Sequence, residues 1–283
     1  MSSDHSKGLI HIQGQKDLII KTLRRIKTAP GRRKENLFVA EGLDLCKRSI
    51  QYGAQLHAII CTPLFARSTE GQELFAILPA NCSVYVCSLG LIAKCLEAKP
   101  TPHCLALIHR KTYAWSQLLT HACPLFLGVD HGDFADNLGM VLRSAETAGV
   151  TGVVLSSSTV DPFGRKVVRG SRGSNFHVPL SIVDDMVDAI QQAQQAGIQV
   201  ITTSANTQQG YHQVDYRKPS LIIIGNEHKG ISSEVIQASD QCVRIPMMGQ
   251  VNSLNIAVAG SIMLFEAQRQ RQWQSASLTV KGS

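Results

Sequence analysis

Three apolar stretches of this chain each open into a polar, glycine-bearing loop that leads into a helical pattern. The stretches and loops are residues 125–129 with 130–139, residues 221–224 with 225–230, and residues 245–259, where Pro246 and Gly249 interrupt an apolar run. Short β-branched runs are typical of strands buried in a parallel sheet. Because ligands bind beyond the carboxyl ends of such strands, we expect the three loops to line one site.

The composition indicates a folded globular protein, since 44% of the 283 residues are hydrophobic and 17% are charged. That length allows one large domain or two modest ones. The formal net charge of +7 favours a polyanionic partner without identifying one. The sequence has no secretory leader pattern and no run near the ~18 apolar residues of a membrane span. We therefore expect a cytoplasmic protein without a membrane partner.

The eight cysteines are scattered along the chain, and none forms a C-x-x-C pair. A chain of this length does not need disulfides for stability, so we expect free thiols in a reducing compartment. The nearest groupings, such as Cys82 with Cys87, lack the spacing of zinc ligands. The sequence therefore predicts no metal site.

Alternating strand-like and helix-like segments predict an α/β protein, with a small first unit and a larger second unit built on a parallel sheet. Residues 16–26 have helical spacing that ends before Ala29-Pro30-Gly31, and residues 156–174 are predicted to be a flexible loop rich in Ser, Gly and Arg. The predicted boundaries are a flexible tail over 1–15, a first domain over 16–110, a linker over 111–123, a second domain over 124–271 and a flexible tail over 272–283.

A phosphate-binding loop is the first chemistry to test, because Gly225, Gly230 and Ser232 have its outline. Ile231 stands where that motif requires lysine, and Glu227 would place a carboxylate inside an anion site. No G-x-G-x-x-G follows a predicted strand either. The sequence therefore argues against a P-loop nucleotide site and against a dinucleotide site.

Three motifs follow one another in the second domain. They are Asn137-x-Gly139-x-x-x-Arg143-x-Ala145-x-x-x-Gly149, Gly225-Asn226-Glu227-x-x-Gly230, and Ile245-Pro246-Met247-x-Gly249-x-Val251-x-Ser253-Leu254-Asn255-Ile256-x-Val258-Ala259. In this order they resemble the motifs of the TrmH branch of the SPOUT superfamily, over about residues 124–271. The resemblance implies an enzyme that transfers a methyl group from S-adenosylmethionine to a ribose 2′-hydroxyl of RNA.

Phe38-Val39-Ala40-Glu41-Gly42 resembles the F-x-x-E-G of a substrate-binding domain, related to RNA-binding ribosomal proteins, that precedes the catalytic domain in many members. This second resemblance is weaker and covers residues 17–110. Together the two imply a small ribosomal-protein-like α/β domain followed by a SPOUT domain with a deep trefoil knot. They also imply a homodimer, and the extra domain favours ribosomal RNA over transfer RNA.

Site residues follow from the resemblance position by position. The implied catalytic residues are Asn137, Arg143, Glu227, Ser253 and Asn255. The implied cofactor contacts are Thr203, Gly225, Ile245 and Leu254. The predicted RNA contacts come from the clustering of basic residues in two segments, the second of which resembles a family segment between motifs. They comprise Arg24, Arg25, Arg32, Arg33, Arg165, Arg169 and Arg172.

Several alternatives stay open at this point. For Arg143 we favour a clamp on an RNA phosphate beside the target ribose over the role of a base, because a guanidinium has no lone pair to offer. Asn252 or Ser253 could cap the last helix. The alternatives for the whole chain are a transfer-RNA ribose methyltransferase and a catalytically silent RNA-binding protein of the same fold.

Overall fold

The computed structural model describes residues 8–12, 14–96, 98–226, 229–249 and 253–272. The chain forms two compact units, one comprising residues 1–111 and 161–177 and the other residues 112–160 and 178–283. Across the described ranges, no helix has both the length and the apolar character to span a membrane.

The described residues form the following β-strands. They are Leu9–His11 (β1), Leu37–Glu41 (β2), Leu56–Cys61 (β3), Ser83–Val86 (β4), Cys104–His109 (β5), Leu125–Asp130 (β6), Gly152–Ser156 (β7), Leu180–Val183 (β8), Gln199–Thr203 (β9), Ser220–Gly225 (β10) and Gln241–Val243 (β11).

The same residues also form α-helices. They are Leu18–Arg25 (α1), Ala29–Glu35 (α2), Leu43–Gln51 (α3), Pro63–Arg67 (α4), Thr69–Ala76 (α5), Leu89–Leu96 (α6), Trp115–Leu118 (α7), Ala135–Thr147 (α8), Arg165–Gly170 (α9), Met186–Gln195 (α10), Ser233–Ala238 (α11) and Ile256–Gln272 (α12).

The second unit is built on a parallel sheet with the strand order β11-β9-β10-β6-β7-β8. Strands β6 and β7 are buried at every residue, and β10 at all but its last. Continuous apolar strands of this kind fit a sheet whose two faces are both covered. The predicted α/β class and the predicted parallel sheet of the second half are confirmed. Because β9, β10 and β6 are neighbours and parallel, their carboxyl ends lie together at one edge.

The prediction of a linker over residues 111–123 is wrong, because this segment contains helix α7 and packs in the second unit. Trp115 is buried and its Nε1–H donates to the Ala189 carbonyl oxygen over 2.9 Å. Its ring meets the Phe126 ring with centroids 4.9 Å apart. The Tyr113 N–H donates to the Leu180 carbonyl oxygen. Because the Trp115 ring is buried and its N–H is hydrogen-bonded inside the core, this residue belongs to the second unit.

The first unit has a mixed sheet with the order β1-β4-β3-β5-β2. Strand β1 pairs with β4 in parallel register, with Leu9 opposite Val84 and His11 opposite Val86. The prediction of a flexible tail over residues 1–15 is therefore wrong for residues 9–11. Residues 1–7 and 13 of that tail, and residues 273–283 of the other predicted tail, lie outside the described residues.

Residues 161–177 pack in the first unit, although their position in the sequence placed them in the predicted second domain. They form helix α9 and a short 3-10 turn, Ser174–Phe176, instead of the predicted flexible loop. The Phe38 ring of β2 lies 5.1 Å from the Phe163 ring and 5.9 Å from the Phe176 ring, measured between centroids. These aromatic contacts bury the segment, so the ranges 16–110 and 124–271 do not coincide with the compact units.

Two arginines predicted to contact RNA are instead used inside the first unit. Arg32 is only 7% exposed, and its Nε lies 2.7 Å from the Asp161 carboxylate. A second nitrogen of Arg32 donates to two main-chain carbonyl oxygens. Arg165 pairs with the Glu41 carboxylate and donates to the Leu96 carbonyl oxygen. Because both guanidinium groups already have anionic and carbonyl partners, we do not propose Arg32 and Arg165 as RNA contacts.

We expect Arg32→Ala to destabilise the first unit by about 3 kcal/mol, because it removes the cation that pairs directly with the largely buried Asp161 carboxylate. The exposed neighbour Arg33 provides the matched control, and Arg33→Ala should change stability by less than about 0.5 kcal/mol. Chemical denaturation of both variants measures the difference. Equal stability of the two variants would contradict the assigned ion pair.

Candidate functional site

A cleft of about 390 Å³ lies at the sheet edge where β9, β10 and β11 end. The four residues predicted to contact a cofactor all line it, namely Thr203, Gly225, Ile245 and Leu254. Thr203 is the last residue of β9 and Gly225 the last residue of β10. The parallel register of these strands therefore places residues from separate parts of the chain around one space.

Gly225 is required by a close approach of the chain to itself. A Cβ atom at this position would lie 2.5 Å from the carbonyl carbon and oxygen of Gly230. Two hydrogen bonds close the turn between them. The Asn226 N–H donates to the Gly230 carbonyl oxygen, and the Gly230 N–H donates to the Asn226 carbonyl oxygen. Glycine is thus the residue that lets this turn fold back over the end of β10.

The side chain of Asn226 joins this turn to the loop that follows β6. It is 4% exposed, and its Nδ2 donates to the His131 carbonyl oxygen over 2.9 Å and to the Asp133 carboxylate over 2.7 Å. Its Oδ1 accepts from the Lys229 N–H. A buried amide with both ends satisfied fixes two loops in one arrangement. The sequence analysis placed Asn226 in a motif but gave it no role.

Asp130 makes a second link between the same loops. Its carboxylate is almost completely buried and accepts from the Ser232 N–H over 3.1 Å. Its other oxygen lies 2.6 Å from Nδ1 of His131. A buried carboxylate is tolerated when donors of this kind surround it. The sequence signal for Asp130 was its position at the carboxyl end of an apolar strand.

Asn137 and Asn255, which are 118 residues apart in the chain, are joined by a hydrogen bond of 2.9 Å. Oδ1 of Asn255 accepts from the Ala257 N–H in the first turn of α12. This contact fixes the amide orientation, so that Nδ2 of Asn255 donates to Oδ1 of Asn137. Asn255 therefore caps α12, a role for which the sequence had left Asn252 or Ser253 as an alternative. Asn252 lies outside the described residues.

The remaining predicted catalytic residues are placed in different ways. Ser253 lines the cleft and is exposed. Arg143 is an exposed residue of α8, does not line the cleft, and makes no ion pair with any described residue. Glu227 lies outside the described residues. The structure thus brings Asn137, Ser253 and Asn255 to one region, whereas Arg143 faces solvent on the helix that carries Asn137.

The other arginines predicted to contact RNA differ in how free their guanidinium groups are. Arg25 pairs with Glu35 over 3.0 Å, and Arg24 donates to Gln15. Arg172 lies 3.7 Å from the Asp44 carboxylate. The two that remain, Arg33 and Arg169, are exposed. Exposed pairs of this kind contribute little to stability and can exchange partners.

Comparison with known proteins decides which family the chain belongs to. The model of the SpoU rRNA Methylase family matches residues 124–265, and that of the MRM3-like substrate binding domain matches residues 18–106. The chain belongs to the SpoU rRNA methylase family. The resemblance to TrmH-type enzymes and the predicted class of enzyme, a methyltransferase, are confirmed.

Relatives of this SpoU methylase resemble it over most of its length. It is 28% identical to an uncharacterized tRNA/rRNA methyltransferase of Synechocystis sp. over 274 residues, 96% of this chain and 98% of the relative. It is 36% identical to the 23S rRNA (guanosine-2′-O-)-methyltransferase RlmB of Pseudomonas putida over 168 residues, 56% of this chain and 66% of the relative. The crystal structure of an AdoMet-bound rRNA methyltransferase from Sinorhizobium meliloti superposes with a TM-score of 0.82 at 26% identity, covering 92% of this chain and 98% of that one.

The cap at Asn255 leads to a stability prediction. Asn255→Ala removes the acceptor for the Ala257 N–H and should cost about 1 kcal/mol. Asn255→Ser keeps a capping acceptor and places no carboxylate against Oδ1 of Asn137, so it should cost less than half as much. Thermal unfolding measures both, with Ser253→Ala as the control that leaves the melting temperature unchanged. A loss of stability in Ser253→Ala, with none in Asn255→Ala, would show that Ser253 caps the helix and would contradict the assignment of Asn255.

Proposed function

We propose that this SpoU methylase transfers the methyl group of S-adenosylmethionine to a ribose 2′-hydroxyl of ribosomal RNA. The coarser statement, a methyltransferase of the SpoU family that uses S-adenosylmethionine, follows from the family. The observation that carries the finer proposal is the hydrogen bond between Asn137 and Asn255, beside the cleft lined by Ser253 and Leu254. It joins the first and third motifs at the place where a cofactor and a sugar would meet.

The cleft fits S-adenosylmethionine in size and in chemistry. Its volume of about 390 Å³ lies within the range of about 300 to 1,000 Å³ that is usual for small-molecule sites. Apolar side chains such as Ile245 and Leu254 line it together with hydroxyl groups of Thr203 and Ser253. The Gly225 turn lets main-chain groups approach a ligand closely. When bound, the cofactor supplies an electrophilic methyl group on a sulfonium.

The residues of the chain would act mainly by positioning. The amide of Asn255 accepts from the Ala257 N–H and donates to Asn137. We therefore propose that Asn255 holds Asn137 in place and does not itself react. Alignment of an attacking oxygen with the transferred carbon supplies much of the acceleration in such a displacement. We propose that Arg143 holds an RNA phosphate next to the target ribose, because an exposed guanidinium is a donor fork and not a base.

Exposed arginines of the first unit are the proposed RNA contacts. Arg33 and Arg169 are exposed, and Arg25 and Arg172 have only surface ion pairs. Cationic side chains of this kind neutralise phosphates and position an RNA without reading its sequence. We favour ribosomal RNA because the relative from Pseudomonas putida and the structure from Sinorhizobium meliloti carry that substrate in their names.

We also propose that the protein is a homodimer that associates through α8 and α12. These helices pack together, with the Ser144 and Ser261 hydroxyl oxygens 2.7 Å apart. Met140, Val258 and Phe265 on the same two helices are 44%, 47% and 49% exposed. Apolar surface of this kind is typical of an interface between copies. The trefoil knot and the cytoplasmic location stay predictions from the sequence.

The proposal is tested with purified protein, S-adenosylmethionine labelled on its methyl group, and unmodified 23S ribosomal RNA and transfer RNA. We expect label in ribosomal RNA, in dinucleotides that resist alkaline cleavage, because a methylated 2′-oxygen cannot attack the neighbouring phosphate. Label in transfer RNA alone would support the alternative substrate, and label on a base would contradict ribose methylation. Cofactor binding without transfer to either RNA would contradict the proposed activity.

Arg143→Ala should lower kcat/KM in this assay by at least about 100-fold, the usual effect of losing a positioned charged donor. Its affinity for S-adenosylmethionine should stay within about threefold of wild type, because Arg143 lies outside the cleft lining. Arg217, an exposed arginine of the same unit that pairs with Asp215, provides the control variant Arg217→Ala. An equal loss of cofactor affinity and turnover in Arg143→Ala would contradict the proposed role.

A further inference from the structure

The cleft has a simple distribution of charge. Among its described lining residues, Lys229 is the one that carries a formal charge. The polar residues around it, including Ser204, Asn206 and Ser253, are neutral. An ammonium that is the one formal charge among the described lining residues favours a ligand with an anionic group at that end.

The main chain of Lys229 is held in place while its side chain is exposed. The Lys229 N–H donates to Oδ1 of Asn226 over 3.1 Å, and the turn is closed by the paired hydrogen bonds of Asn226 and Gly230. Gly230 has a φ of 71°, which directs the chain back toward Gly225. Because the Asn226 side chain is also bonded to the loop after β6, the point from which the lysine side chain extends is fixed.

The ammonium of Lys229 makes no ion pair with any residue in the described part of the chain. A lysine side chain is a flexible stem with a strongly hydrated charge at its end. Such a side chain can change its conformation to contact an anion that enters the cleft. The ion pair is stronger there than on an open surface, because the walls of the cleft exclude part of the water.

S-adenosylmethionine has one anionic group, the α-carboxylate of its methionine portion, and two cationic groups, the α-ammonium and the sulfonium. We propose that Lys229 pairs with this carboxylate and thereby directs the amino-acid portion of the cofactor toward the Asn226–Gly230 turn. The adenosine portion then lies against the apolar residues Ile245 and Leu254. This inference rests on the proposed function, since it names a residue that orients the proposed cofactor.

The test compares two ligands that differ in the amino-acid portion and in the charge on sulfur, which is a sulfonium in the first and a neutral thioether in the second. S-adenosylmethionine carries the carboxylate, whereas 5′-methylthioadenosine lacks the whole amino-acid portion. We expect Lys229→Gln to raise the Kd of S-adenosylmethionine about fivefold and to leave that of 5′-methylthioadenosine within about twofold. Lys229→Arg should keep most of the affinity, because it preserves the charge. Lys218→Gln, at an exposed lysine outside the cleft lining, is the matched control and should bind both ligands as wild type does.

Isothermal titration calorimetry at low and at high salt measures these constants, and the affinity lost in Lys229→Gln should shrink as salt screens the pair. An unchanged Kd for S-adenosylmethionine would overturn the inference, and so would an equal loss for both ligands. A raised KM for RNA with an unchanged cofactor Kd would assign Lys229 to an RNA phosphate and would also overturn it. If wild type itself bound no S-adenosylmethionine, the proposed function would fail, which is a separate outcome.

Discussion

The Asn226 amide is the contact on which the arrangement of the site depends. It ties the turn after β10 to the loop after β6 through the His131 carbonyl oxygen and the Asp133 carboxylate. The strands alone place the two loops at the same edge, but main-chain register does not determine how loops beyond the strands are arranged. A buried amide that loses either partner leaves an unsatisfied polar group, so the closed arrangement is strongly preferred. The same side chain accepts from the Lys229 N–H, so it also helps to fix the position of Lys229 beside the cleft.

The arginines of this chain use their charge in two different ways. In the first unit, Arg32 and Arg165 are paired with carboxylates and main-chain oxygens, so their charges stabilise the fold. On α8, Arg143 extends into solvent and is available to an anion. A net positive charge therefore says little about which arginines meet RNA, because burial and pairing decide it. Exposure separates Arg33 from Arg32, which the sequence places side by side.

Prediction from the sequence succeeded for segments whose residues are apolar and buried throughout. It failed for segments whose burial depends on residues far away in the chain. The strand-like stretches 125–129 and 221–224 lie within the observed strands β6 and β10, because their apolar residues mark them locally. Helix α2 was missed, since Ala29-Pro30-Gly31 was taken as a stop although the Thr28 side chain caps a new helix there, with proline in its first turn. Most of residues 161–177 fell in the loop predicted over residues 156–174, because Gly, Ser and Arg are frequent there. Their burial depends on Phe38, far away in the chain, which no local pattern contains.

The central claim is that the turn closed over Gly225 forms the cofactor site of this SpoU methylase. Calorimetric titration of S-adenosylmethionine into Gly225→Ala measures it most directly, with Gly90→Ala as control because a Cβ at Gly90 meets no atom within 4 Å. We predict wild-type affinity for Gly90→Ala and a loss of at least about tenfold, or 1.4 kcal/mol, for Gly225→Ala, whose new methyl group must displace the Gly230 main chain. Wild-type affinity in a folded Gly225→Ala protein would contradict the account.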